Sequence, residues 1–367
     1  MVGIMLEAFC DLTDFPALAD HEAVQAVYEP WHQLEEESVS GNLLTNIFAG
    51  GTVDTEWGFL TGYSQHQDFT KATDSYVWYF ARQGYQTRGG HPGFGWFYDR
   101  ENVNRYLGFQ EYWFTDNHYG ELVDPVEAQW NSDYILTGEI VKDLQAQLEE
   151  SRRPVFSFSV SYQNHGPYEW TYTANETYLD PETSGLPEES CYVFNNYLHG
   201  VNITISAMTL LAQQLEEMEE PVVLVFFGDH LPYLGDNQLA YAELGFTARA
   251  EWDALTSYET PYVIWANDAA AQALDWEAAV ASLDLPEDGR LSASFLGAAV
   301  LELTGRTGES PWFDFLNQLR RELPVVQKQA YQLADGTVTD QLTEEQAAKI
   351  AKWRQWSYYK LMYKEID

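Results

Sequence analysis

Four residues far apart along the chain are of the types that hold a divalent cation and act on an ester beside it: Glu7, Thr52, Asp229 and His230. Glu7 closes an apolar run that begins at Val2, Thr52 follows Gly50-Gly51, and Asp229-His230 follow Gly228 at the end of the apolar run Val222 to Phe227. Two carboxylates, an imidazole and a hydroxyl suit one divalent ion, because hard oxygens and a borderline nitrogen stabilise it together. Mn²⁺, Mg²⁺ and Zn²⁺ all answer that description, and manganese or zinc fits the histidine better than magnesium. A threonine hydroxyl is a poor nucleophile until it loses its proton, and a dication lowers that cost. The two glycines permit a tight turn before Thr52. If Thr52 also starts a helix, the N–H groups there would stabilise an anionic phosphate.

Such residues need elements that bring them to one edge. Short apolar runs of buried-strand type lie at Val2 to Phe9, Val155 to Tyr162, Pro221 to Phe227 and Pro261 to Ala266. The clearest helical patterns run from Thr70 to Gln83, Asn196 to Glu219, Ala293 to Leu303 and Thr343 to Tyr363. Strands alternating with helices predict an α/β chain with a mostly parallel sheet covered on both faces, whose active residues gather at strand C-terminal ends. After about Gly308 the pattern changes to a helix, a hairpin over Gln327 to Thr339 turning at Asp335-Gly336, and a last helix. The expected division is a catalytic domain over 1–310 and a small α+β subdomain over 311–367.

Composition excludes several classes. With 19 basic and 57 acidic residues the net charge is −38, so the overall field opposes binding to nucleic acid. The acidic runs, such as Glu35-Glu36-Glu37, read as solvated helix faces. Cys10 and Cys191 are the two cysteines and form no CxxC pair, which excludes a thiolate zinc site or a disulfide framework and leaves a single bridge open. No stretch approaches the roughly 20 apolar residues that cross a bilayer. The chain opens directly in a strand, which reads as truncation of a longer protein.

The motifs Leu6-Glu7-Ala8-Phe9, Gly51-Thr52-Val53-Asp54-Thr55-Glu56-Trp57 and Gly228-Asp229-His230-Leu231-Pro232 resemble, in order, those of the lipoteichoic acid synthase-type phosphoglycerol transferases. Two further stretches are similar to that family's substrate-binding segments: His91-Pro92-Gly93 with Phe97-Tyr98-Asp99-Arg100, and Ser161 to Tyr168. The resemblance implies the α/β/α sandwich of the alkaline phosphatase and sulfatase superfamily and a metal on Glu7, Thr52, Asp229 and His230. It further implies Thr52 as nucleophile on phosphatidylglycerol, with His91, Tyr98, Arg100 and His165 around the head group. His165 is alternatively the proton donor to the leaving alkoxide. Tyr98 stands where relatives usually carry tryptophan.

The implied partners are a phospholipid head group, a membrane surface as its source, and a glycerophosphate or glycolipid acceptor. The implied place is the outer face of the cytoplasmic membrane or the cell exterior, as the soluble domain of an anchored bacterial protein. Phosphoethanolamine transfer, phosphodiester or sulfatase-type hydrolysis, and non-catalytic glycerophosphate binding are the alternatives. Threonine stands where sulfatases require a convertible Cys or Ser, which argues against sulfate esters. His21, His32, His66, His118 and His199 match no motif and read as surface or ordinary hydrogen-bonded residues, and Trp57 and Trp96 read as packing residues.

Overall fold

In the computed structural model, eight strands form the main sheet: β1 (Val2–Leu6), β2 (Val39–Leu44), β3 (Gln86–Gly90), β4 (Glu111–Trp113), β5 (Val155–Val160), β6 (Val223–Gly228), β7 (Glu259–Ala266) and β8 (Leu291–Ser292). The structure describes residues 1–64, 68–122, 132–169, 171, 176–236, 239–245, 255–328, 330–364 and 366. The spatial order is β4-β3-β5-β1-β6-β7-β2-β8. β1 lies parallel between β5 and β6, whereas β7 is antiparallel to both β6 and β2. The direction of β7 departs from a simple alternation of strand and helix. Its apolar run, buried from Thr260 to Trp265, reads the same in either direction.

Strand side chains alternate between two cores, as a period of two requires. Met5, Phe158, Val225, Phe227 and Ile264 face one core. Ile4, Leu6, Leu224, Phe226 and Val263 face the other. Helices Val53–Thr61, Tyr76–Arg82 and Ala293–Leu303 cover the first face; Glu22–Glu36, Asp133–Glu150 and Glu188–Glu216 cover the second. The result is the expected α/β/α sandwich with a mostly parallel sheet.

The helix expected from Thr70 is shorter, Tyr76–Arg82, because Ser75 caps it by accepting from the Trp78 N–H at 3.1 Å. The helix expected from Asn196 begins already at Glu188, after Pro187, with Cys191, Val193 and Phe194 in the core. At the C-terminal end, Thr343 and Gln346 exchange side-chain and backbone hydrogen bonds in a full capping box for Glu344–Met362. The Asp335-Gly336 turn joins the antiparallel strands β10 (Tyr331–Gln332) and β11 (Val338–Thr339). A third strand, β9 (Val325–Val326), pairs with β10 and was not legible in its two-residue length. The last segment packs on the main core: the Trp312 and Trp353 indoles donate to Thr61 O and Gly62 O, both at 2.9 Å, at the end of helix Val53–Thr61. Cys10 and Cys191 are buried free thiols. Among the described residues no helix is long and apolar enough to cross a membrane.

Candidate functional site

Glu7 and Asp229 follow the C-terminal ends of the paired strands β1 and β6, where Leu6 stands opposite Gly228. Strand register alone therefore brings the two carboxylates together. Ser161, at the end of β5, accepts from the Glu7 N–H at 2.9 Å. Ala8 adopts a left-handed φ of 48°, and its N–H donates to Asp229 Oδ1 at 2.8 Å, as does the His230 N–H. Strain of this kind persists only where surrounding bonds over-determine it. The Tyr197 hydroxyl, donating to Ala8 O at 2.9 Å, is one such bond.

Thr52 reaches the same edge by a different device. The backbone turns through φ values of 57°, 136° and 91° at Ala49, Gly50 and Gly51 before helix Val53–Thr61 begins. The Ala49 N–H donates to Leu231 O at 3.1 Å and the Thr55 hydroxyl to Asp229 O at 2.8 Å, tying both sides of Thr52 to the Asp229–Leu231 loop. Thr52 occupies the N-cap position, yet its side chain makes no capping bond. The hydroxyl is not used by the helix it begins.

Glu7, Asp229 and His230 each offer a buried ligand atom, and these atoms lie within 4.8 Å of one another. His230 Nδ1 lies 2.9 Å from Leu231 O; a carbonyl only accepts, so Nδ1 carries the proton and the neutral ring has its lone pair on Nε2. That atom sits 3.2 Å from Asp229 Oδ2 and 3.9 Å from Glu7 Oε1. Asp229 Oδ2 is buried without a hydrogen bond. Lone pairs facing one another in a buried space fit a cation between them. Burial, and next the charge of Asp229, push the Glu7 carboxyl well above the ordinary carboxylate range.

That shift sets a pH dependence. A carboxyl raised by folding adds stability fully below its unfolded value and loses that contribution as pH rises through the folded one; a bound dication favours the ionised form instead. Added Mn²⁺ is therefore expected to raise the melting temperature by a few degrees at about a hundredfold excess over Kd, and the gain should grow between about pH 5 and pH 8. Thermal melts with and without MnCl₂ test this. A gain that is the same at every pH, or unchanged in Glu7→Gln, rejects the assignment.

Glu7, Thr52 and His230 line a cavity of about 270 Å³ together with His91, Tyr98, Arg100 and His165. All the sequence-predicted site residues except Asp229 line this one space, and Asp229 is fully buried next to His230. His91 is buried, with Nδ1 3.0 Å from Val160 O, and burial and then the Arg100 charge hold its imidazole well below its ordinary range. It is neutral, with an accepting Nε2. His165 is exposed and also directs Nδ1 to a carbonyl, that of Gly166, at 2.7 Å.

Arg100 is 1% exposed, and one of its nitrogens is already engaged: Nη2 pairs with Glu56 at 2.7 Å. Nε and Nη1 are buried without a hydrogen bond. Tyr98, with φ 55°, places its ring 5.6 Å from the Arg100 guanidinium carbon.

Sequence reasoning assigned Glu56 no role, although it lies in the quoted threonine motif. Only the fold sets it opposite Arg100. Trp96 is a correction: read as packing, it is 70% exposed, whereas Trp57 is buried against Phe69. Just before Trp96 in the chain, Gly93 and Gly95 pack closely against His91 and Phe114. His32 and His118 are hydrogen-bonded to Asp11 and Glu139, as expected, and His66 lies outside the described residues.

Residues 18–306 match the Sulfatase family model. Over 283 residues the chain is 29% identical to a Rhizobium meliloti (strain 1021) protein named for cyclic beta-1,2-glucan modification; this covers 73% of this chain and 42% of that protein. The chain thus spans less than half the length of that curated relative. Two solved structures superpose over nearly the whole chain. The lipoteichoic acid synthase LtaP from Listeria monocytogenes has a TM-score of 0.66 at 16% identity, covering 99% of this chain and 92% of that one. The Streptococcus pyogenes phosphoglycerol transferase GacH, in complex with sn-glycerol-1-phosphate, has a TM-score of 0.67 at 16% identity, covering 97% and 84%.

Proposed function

The chain belongs to the sulfatase family, and on that premise we propose that it is the catalytic domain of a metal-dependent phosphotransferase that moves phosphoglycerol from phosphatidylglycerol to an acceptor hydroxyl. The observation that carries this reading is the gathering, at one cavity, of an uncapped Thr52 hydroxyl, three buried ligand groups and two Arg100 nitrogens without hydrogen bonds. The names of the similar structures, LtaP and GacH, favour phosphoglycerol as the transferred group. That of the Rhizobium relative favours a carbohydrate hydroxyl as acceptor, alongside glycerophosphate or glycolipid.

A divalent cation, with manganese ahead of magnesium or zinc, would be held by Glu7, Thr52, Asp229 and His230 and would supply the positive charge that eases loss of the threonine proton. The chain's own groups do the rest. An Arg100 N–H that Glu56 does not engage donates to a phosphate oxygen, and the guanidinium charge helps hold the phosphorus in front of Thr52. His91 Nε2 accepts from a glycerol hydroxyl, and Tyr98 packs on the head group. Thr52 Oγ1, its proton shed to solvent, bonds to phosphorus as the bond to the diacylglycerol oxygen breaks. His165 Nε2–H gives that oxygen its proton, so diacylglycerol leaves and phosphoglycerol remains esterified to Thr52. His165, now neutral, takes the proton of the acceptor hydroxyl, whose oxygen bonds to phosphorus as the bond to Thr52 Oγ1 breaks, and Thr52 regains its proton from solvent. The lipid reaches the site from a membrane surface, at the outer face of the cytoplasmic membrane or outside the cell.

The test is turnover of fluorescent phosphatidylglycerol and phosphatidylethanolamine with Mn²⁺. Diacylglycerol released from phosphatidylglycerol, with phosphoglycerol recovered on a glycan, is the expected result. Preference for phosphatidylethanolamine would select phosphoethanolamine transfer, and free glycerophosphate despite added acceptor would select hydrolysis.

A further inference from the structure

Between β3 and helix Arg100–Leu107 the chain runs Pro92-Gly93-Phe94-Gly95-Trp96-Phe97-Tyr98. Phe94, Trp96 and Phe97 are 43%, 70% and 46% exposed. Large apolar groups this exposed in sequence mark a binding surface more often than a fold requirement. The ridge is also fixed in place. Thr115 N–H donates to Gly93 O and Glu101 N–H to Gly95 O, both at 3.0 Å, and Gly95 N–H donates to Asp116 Oδ2 at 3.1 Å. A Cβ on Gly95 would come within 3.1 Å of the Phe114 ring, so glycine keeps the ridge seated on the sheet.

The Phe94 and Trp96 rings lie 6.2 Å apart and only 25° from parallel, a stacked aromatic pair. Phe97 stands edge-on to Trp96 and belongs to the cavity lining, so the stacked pair lies one residue from the proposed transfer site.

We infer that Phe94 and Trp96 form a carbohydrate platform on which a sugar ring of the acceptor stacks while its hydroxyl reaches the cavity past Phe97. This rests on the transferase reading above. Pyranose rings present a face of C–H groups that the negative face of an aromatic ring attracts, and the indole of Trp96, 70% exposed, is the larger such face here. Charge selects this occupant over a bilayer. Anionic membranes draw proteins through lysine and arginine clusters. From Gly90 to Leu107 the arginines are Arg100, which is buried against Glu56, and Arg105, which donates to Asn102; the stretch has no lysine and carries Asp99 and Glu101, in a chain of net charge −38. A neutral, polyhydroxylated chain meets no repulsion there, and those carboxylates can accept from its hydroxyls.

The experiment uses Trp96→Ala and Phe94→Ala in the whole chain, with melting temperature as the check on folding. A β-1,2-glucan oligosaccharide is the probe, both as acceptor and in direct titration followed by NMR. Donor cleavage is followed separately as diacylglycerol release in the first turnover, with short-chain phosphatidylglycerol in solution and with phosphatidylglycerol vesicles. The expected result is a KM for the oligosaccharide raised about tenfold in Trp96→Ala, with first-turnover donor cleavage unchanged and direct binding weakened to match. Unchanged acceptor KM and binding overturn the platform, and so does a defect seen with vesicles alone, which would make the ridge a membrane contact. If wild-type protein cleaves no donor, the transferase reading fails. Direct titration still decides the platform, because an oligosaccharide that does not bind wild type overturns it.

Discussion

Thr52→Ala is expected to lower the rate of diacylglycerol release by on the order of 10⁴-fold or more while leaving the fold intact. The two halves of that expectation come from one observation. The hydroxyl lies in the cavity but makes no capping bond to helix Val53–Thr61, so its removal deletes the attacking atom without deleting a helix contact. The usual loss for removing a threonine cap, about 1 kcal/mol, should therefore be absent, and melting temperatures should agree within about 1 °C. Intact mass after incubation with phosphatidylglycerol supplies a direct readout. Wild type should gain a phosphoglycerol adduct when acceptor is withheld, and the variant should gain none. A variant that still forms the adduct would show that another residue is the nucleophile.

The second large effect belongs to a residue that touches no substrate in the proposed mechanism. Glu56 is fully buried, and its carboxylate pairs with Arg100 Nη2 at 2.7 Å. Removing one member of a buried pair strands the other's charge, at a cost of about 3–5 kcal/mol. Glu56→Ala is expected to lose stability of that order and, by freeing Arg100 to reorient, to lower kcat/KM for the donor on the order of a hundredfold. Glu56→Gln keeps an acceptor for Nη2 and should recover part of both losses. The double variant with Arg100→Ala should be little worse than either single one, because the two residues act as a unit. Denaturant melts and donor kinetics on the four proteins decide the matter. Unchanged stability and kinetics in Glu56→Ala would remove the positioning role.

The division between what was legible in the sequence and what was not tracks the range of the interactions. β1, β5 and β6 were readable because a strand buried on both faces is a continuous apolar run. The polar residues that end those runs, Glu7, Ser161 and Asp229, mark the edge the three strands share. That places Glu7, Asp229 and His230 together once β1 and β6 pair. Thr52 was readable from the glycines before it.

The antiparallel β7, the third strand β9 and the Glu56–Arg100 pair were not, since each depends on a partner chosen across the fold. Trp96 was misread for a related reason. Aromatic residues in a sequence rich in them default to packing, and only the folded chain shows the Trp96 indole 70% exposed.

The three histidines of the cavity share a form of wiring. His91, His165 and His230 each spend Nδ1 on a main-chain carbonyl, of Val160, Gly166 and Leu231 respectively. Their tautomers are dictated by backbone, which substitution of neighbouring side chains leaves in place. Side chains around the cavity can therefore drift, altering which head group or acceptor is admitted, without reversing which ring nitrogen each histidine presents. Such a layout separates the part of the site that does proton and ligand chemistry from the part that selects partners, and it gives the scaffold room to exchange substrates while keeping its reaction.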